Sequence, residues 1–210
     1  MEEKVTRKAH KILFFNTLAF TICFSAWMLN GTLVSFLVDN HVFEWTPVQI
    51  GWLLGVPVLT GSIFRFPFGV LTDRYGGRYI YTLLILISVL PMFLLSFANS
   101  YTFFLFCSFG FGLTGASFAV GVAYTSVWYP AKWQGTALGI FGIGILGASL
   151  TTLIGPSVLQ YLTDSGSKLD NWRWLPIIYA AILLIMAVIF FLFTENKKPD
   201  RSKKIFTELL

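Results

Sequence analysis

The chain has 210 residues, 56% hydrophobic and only 12% charged, with a formal net charge of +5 and a mean hydropathy of +0.72. Such usage lies outside that of soluble domains and excludes disorder, a secreted disulfide scaffold and a nucleic-acid module. An integral membrane protein remains, and its basic surplus sits at the termini beside apolar segments, as orientation signals do.

Uncharged runs cover residues 12–38, 45–64, 79–131, 133–163 and 174–194. A helix crosses about 30 Å of hydrocarbon with about 20 residues. The runs therefore predict six transmembrane helices, near 11–38, 47–72, 78–98, 101–129, 132–162 and 173–194. The long third run divides at Ala98, Asn99 and Ser100, a short polar turn. Spans of this length lack the alternation of a transmembrane barrel, so the expected fold is an all-α membrane protein, one six-helix bundle over residues 1–210.

The first span is too long for a cleaved signal peptide and is expected to remain as helix one. Twelve of the fifteen basic residues fall before helix one, between helices two and three, after helix four, or in the tail over 195–210, which carries Lys197, Lys198, Arg201, Lys203 and Lys204. Lys168 and Arg173 alone lie on the other side, so both termini should be cytoplasmic in a multi-pass cell-membrane protein. The tail could also bind anionic lipid, although orientation suffices to explain it.

Cys23 and Cys107 lie deep in apolar runs, where a thiol behaves as a small hydrophobe. Glycines crowd helices four and five, and pairs such as Gly51 with Gly55 or Gly135 with Gly139 have the spacing that brings helices close in lipid. A wall of backbone also leaves room for a narrow path for a small solute. Asn16, Thr17, Asn30, Thr32, Tyr124, Thr125 and Ser126 could hydrogen-bond a solute, but such groups more often join helices. Trp27, Trp128 and Trp133 have the placement of interfacial anchors.

Arg65 lies eight positions before Asp73, roughly 12 Å inward along helix two. An arginine at that depth costs about 2.5 to 3.5 kcal/mol on insertion scales and usually faces an interior cavity. All ten carboxylates fall in loops, tails or span ends, so an anionic solute is a candidate counter-charge. Guanidinium donates two parallel hydrogen bonds to a planar oxyanion and stays charged. The alternative is a structural arginine bonded to carbonyls or to an acid of another chain. His10 and His41 lie at the start of the first span and in the first external loop, so exchange or uniport is favoured over a proton relay.

Residues 69–78 read G-x-x-x-D-R-x-G-x-R, with Gly69, Asp73, Arg74, Gly76 and Arg78 in the fixed places. The glycines permit a tight turn and the charges can lock or release helix ends. This segment resembles the loop signature of the major facilitator superfamily, departing at Gly77, where a basic residue is common. Six helices with both ends inside is half of that family's usual twelve. The stretch from Phe118 to Gly147 and the segment from Thr60 to Phe66 more narrowly resemble the nitrate/nitrite porters of that superfamily.

The resemblance implies that Arg65 grips the anion and Phe118 packs beside it, with a second arginine supplied by another half. Tyr124, Gly142 and Gly144 complete the expected substrate-binding set, and residues 69–78 form the gating motif. Where the family reads G-x-G-N-x-G, this chain has Ile145 in place of the amide, which weakens nitrate specificity. The expected function is alternating-access transport of a small inorganic anion, nitrate or nitrite. The bundle would need a second six-helix half or a homodimer, with lipid around it. No metal cluster, nucleophile constellation or phosphate loop is present, so no enzyme, cofactor or metal is expected. A transport-inactive truncated protein, or an assembly subunit retaining the fold, is the rival reading.

Overall fold

The computed structural model describes residues 5–199, and six of its helices are long and apolar enough to cross a membrane. The first three spans are single helices, α1 (Arg7–Asp39), α2 (Pro47–Tyr75) and α3 (Gly77–Leu95). The fourth joins α4 (Tyr101–Phe111) to α5 (Ser117–Trp128) through a 3-10 turn, Gly112–Ala116. The fifth joins α6 (Ala131–Gly142) to α7 (Leu146–Leu162) through Ile143–Ile145, and the sixth is a 3-10 turn, Leu169–Arg173, leading into α8 (Trp174–Phe193).

Polar residues fix the helix starts. The Thr6 hydroxyl accepts from the Ala9 amide at 3.3 Å, which starts α1 a turn before the uncharged run. Thr46 and Gln49 form a reciprocal capping box ahead of Pro47, whose missing N–H is harmless at the first helical position. Ser100, read as part of a polar turn, caps α4 through the Phe103 amide.

The central helix is α1, which packs against α5, α7 and α8, while α3 packs on α4 and α8, and α2 lies along the 3-10 turn of the fourth span. Leu29, Leu33, Leu37, Tyr81, Phe104, Phe111 and Trp172 are buried in this core. Polar side chains join the helices. Asn30 donates from Nδ2 to the Leu53 carbonyl at 2.6 Å and accepts from the Ser108 hydroxyl at 2.9 Å. The Leu53 carbonyl is open because Pro57, four residues on, has no N–H to offer it. Asn16 donates to the Gly121 carbonyl and the Thr125 hydroxyl at 2.9 and 2.7 Å, tying α1 to α5.

Glycine brings the backbones together, though not at the expected pairs. An added Cβ at Gly112 would lie 2.7 Å from Pro57 Cα, and one at Gly61 would lie 3.2 Å from Gly115 Cα. Around Gly51, Gly55, Gly135 and Gly139 the space is open to 4 Å, so those pairs make no helix contact within the bundle. Small residues at i and i+4 define a smooth face, but not which neighbour that face meets.

The Lys8–Glu195 ion pair, at 2.9 Å, sets the two described ends of the chain at one end of the bundle, hereafter the terminal end. The loop between α2 and α3 lies there too, since Asn196 Nδ2 donates to the Tyr75 carbonyl at 2.9 Å. Arg201, Lys203 and Lys204 of the expected basic tail lie outside the described residues.

Candidate functional site

Arg65 is half-buried on α2 at the level of the 3-10 turn Gly112–Ala116. A helix that tightens into a 3-10 turn presents its carbonyls at a changed angle. Here the Gly115 carbonyl accepts from Arg65 Nε at 3.4 Å. That reach requires glycine on both sides, because α2 passes at Gly61 with its Cα 3.2 Å from where a Gly115 Cβ would lie. Trp27 closes the same layer from α1, donating from Nε1 to the Pro57 carbonyl at 3.1 Å.

The other two guanidinium nitrogens of Arg65 make no hydrogen bond among the described residues, and no described carboxylate forms an ion pair with it. Its charge lies 5.7 Å from the centre of the Phe118 ring, a cation–π approach. Phe118, 42% exposed, in turn rests against Phe20 and Phe141, with ring centres 5.7 and 6.2 Å away. Phe20 and Phe141 are stacked at 4.6 Å and fully buried. The site is therefore a guanidinium with two donor groups uncommitted, set on an aromatic floor within the second span.

Arg65 and Phe118 are brought together as expected. Gly144 joins them only at second hand: its missing side chain admits Phe20, and an added Cβ would lie 3.0 Å from the Thr17 carbonyl, so this glycine faces α1. Gly142 faces open space. Tyr124 is elsewhere, and its expected place beside the anion is corrected. Its ring is buried at the terminal end against Gly77, Trp128 and Phe190, and its hydroxyl donates to the Glu195 carbonyl. The period of α5 points residue 124 away from the face that carries Phe118, six positions earlier.

In the loop segment Gly76 has φ of +94°, a conformation that favours glycine and ends α2. Asp73 and Arg74 are exposed, Arg74 lying 5.4 Å from the Tyr75 ring, and Asp73 makes no ion pair among the described residues. Arg78 turns back, its Nε donating to the Phe191 carbonyl at 2.9 Å. Tyr129, beyond the fourth span, has its hydroxyl 3.2 Å from His10 Nδ1, and burial pushes its pKa up.

The residues that sequence reasoning missed are mostly acceptors and spacers. Gly115, Gly61 and Trp27 position Arg65, and only the interrupted glycine spacing of the fourth span hinted at a turn there. Arg173, read as an orientation outlier, donates to the Ser96 and Ala98 carbonyls and to Asn99 Oδ1 at 2.7 to 3.1 Å.

Comparison with known proteins agrees with this architecture. The family model of the Major Facilitator Superfamily matches residues 15–209. The chain is 37% identical over 199 residues to a "Probable nitrate/nitrite antiporter NarK1" of Thermus thermophilus, a match covering 92% of this chain and 44% of that protein. It is 27% identical over 203 residues to a "Nitrite extrusion protein" of Bacillus subtilis, covering 96% and 49%. Among solved structures, an inward-facing, occupied bacterial homologue of the human lysosomal transporter Spinster aligns with a TM-score of 0.73 at 20% identity, over 96% of this chain and 47% of that one. The chain thus spans about half the length of the relatives it matches. It belongs to the major facilitator superfamily, and the resemblance to that superfamily's nitrate/nitrite porters is borne out.

Proposed function

We propose that this bundle is one half of an alternating-access transporter of a small planar oxyanion, nitrate or nitrite, completed by a second six-helix unit. One observation carries the reading. Arg65 sits at mid-span with a single long backbone bond, no ion pair among the described residues and two uncommitted nitrogens beside Phe118. A charge held that deep is costly unless something offsets it, and a bound anion would do so by two parallel hydrogen bonds.

Two further features support the arrangement. Spans two and five are the least buried of the six, and they carry the open glycine faces at Gly51, Gly55, Gly135 and Gly139, smooth enough to seat another bundle. At the end opposite the termini, a groove of about 780 Å³ between α1, α2 and α7 is lined by Thr32, Ser35, Thr152 and Gln160, whose hydroxyl and amide donors would replace water around an anion, with the Asp39 carboxylate at its rim disfavouring a long stay there. The second unit would be a separate half or another copy of this chain, and the bias of basic residues supports cytoplasmic termini.

The test is anion exchange in vesicles containing the chain with its second unit, using nitrate and nitrite, against Arg65→Lys. The expected result is exchange that the substitution abolishes. Exchange indifferent to the substitution would sink the proposed grip, and no exchange with either anion would leave the transport-inactive or assembly-subunit reading.

A further inference from the structure

The terminal end holds a set of contacts that the anion site does not use. Helix ends expose carbonyls that need donors from elsewhere. At the end of α2, the Tyr75 carbonyl receives Asn196 Nδ2 at 2.9 Å, from the segment that follows α8. At the end of α8, the Phe191 carbonyl receives Arg78 Nε at 2.9 Å, from the residues that follow α2, and the Arg78 guanidinium lies 4.3 Å from the Phe191 ring centre. Each helix end is therefore capped by the segment leaving the other, and a cation at the C-terminal end of α8 also meets the negative end of the helix dipole.

Four more contacts hold the same two segments. The Tyr124 ring fills the place that a Gly77 side chain would take, and its hydroxyl reaches the Glu195 carbonyl. Lys8 pairs with Glu195 at 2.9 Å, and Lys197 lies 5.2 Å from the Trp128 ring centre. Thr194 is buried at 2% exposure. The side chain that Gly77 lacks is what makes room for Tyr124.

We infer that residues 194–197 form a strap that locks the loop over residues 73–78, with Asn196 and Arg78 as reciprocal caps and Tyr124 as the wedge between them. Loop and strap hold or open together, because releasing either leaves the other's helix end without a donor. Asp73 and Arg74, at the start of that loop, are exposed and make no hydrogen bond or ion pair with the strap among the described residues.

Hydrogen exchange read by mass spectrometry tests the coupling on the full chain. Asn196→Ala should speed exchange of the loop amides, including Gly76, about tenfold, and Arg78→Met should speed that of the strap, including Thr194, by a similar factor. Gly77→Ala, which displaces the Tyr124 ring, should do both. The segment around Ser96 to Ser100, at the other end, should be unchanged and so reports an intact fold. Acceleration confined to the substituted segment would overturn the lock.

Its place in a transport cycle rests on the anion reading above. The loop lies about 16 Å from Arg65 along α2, so releasing the strap should change the maximal exchange rate and leave the half-saturating anion concentration unmoved. Amide exchange needs no anion, so reciprocal exchange with inactive vesicles defeats only the transport reading. An unchanged maximal rate in working vesicles overturns the lock's role.

Discussion

Two arginines in this bundle carry the same group in opposite surroundings, one at a helix end and one inside a helix. Arg173, at the start of the sixth span, is well partnered: two carbonyls and one amide oxygen within 3.1 Å of its terminal nitrogens, and the Trp172 ring centre 4.9 Å away. Those carbonyls belong to the end of α3 and the turn after it, where backbone acceptors are left over and a cation suits the helix dipole. Arg65, at mid-span, meets only helix interiors, whose carbonyls are already committed, and finds one acceptor because a 3-10 turn offers Gly115. A guanidinium at a helix end is completed by the protein. One in the middle of a helix is left incomplete, and that incompleteness is what a solute could use.

The comparison breaks most visibly under exchange of the two residues' roles. Arg65→Lys should lower anion exchange about 100-fold or more, because a single ammonium cannot reproduce the two parallel donors, while thermal stability in detergent should change by under about 1 kcal/mol. Arg173→Ala should do the reverse. It strips donors from three acceptors at once and should cost about 3 kcal/mol of stability, with exchange per folded molecule unaffected. Melting curves and vesicle assays on both variants would separate the cases, and a matched loss in both assays for either variant would erase the distinction.

A smaller effect sharpens why Arg65 is held at all. In Gly115→Ala the new methyl would lie 3.2 Å from both Gly61 Cα and Trp27 Nε1, too tight for the layer to stay as it is. The turn should shift away from α2, with a stability loss of about 1 to 3 kcal/mol. Anion affinity should fall about tenfold as Arg65 loses its backbone tether. Measuring the half-saturating concentration in the folded variant decides the matter, and an unchanged value would mean that Gly115 spaces the helices without aiming the guanidinium.

Much of this was legible in the sequence, for particular reasons. The six spans follow from charge confined to short stretches, and Arg65 from being the one charge deep inside an expected span. Phe118 came only from resemblance, and the structure does bring it to Arg65. The 3-10 turns at Gly112–Ala116 and Ile143–Ile145 were hidden because an apolar, glycine-rich run reads alike in either helix. Tyr124 went to the wrong end, since a tyrosine in a span gives no sign of which neighbour its hydroxyl will meet. The strap was invisible for another reason: Asn196 caps a carbonyl 121 residues away, and such a pairing exists only once six helices have been bundled.

The least perturbing substitution bears on the second unit. An added methyl at Gly139 meets nothing within 4 Å, so Gly139→Ala should leave the stability of this bundle alone within about 0.5 kcal/mol, or raise it through alanine's better helix propensity. If the open face of α6 receives another bundle, the same methyl pushes against it, and the loss appears only in the assembly. Sedimentation or crosslinking yield should then fall for Gly139→Ala while the melting temperature of the separate bundle holds. Equal behaviour in both states would place Gly139 against lipid and move the seam to the face of α2 around Gly51 and Gly55, where the same substitution pair decides between them.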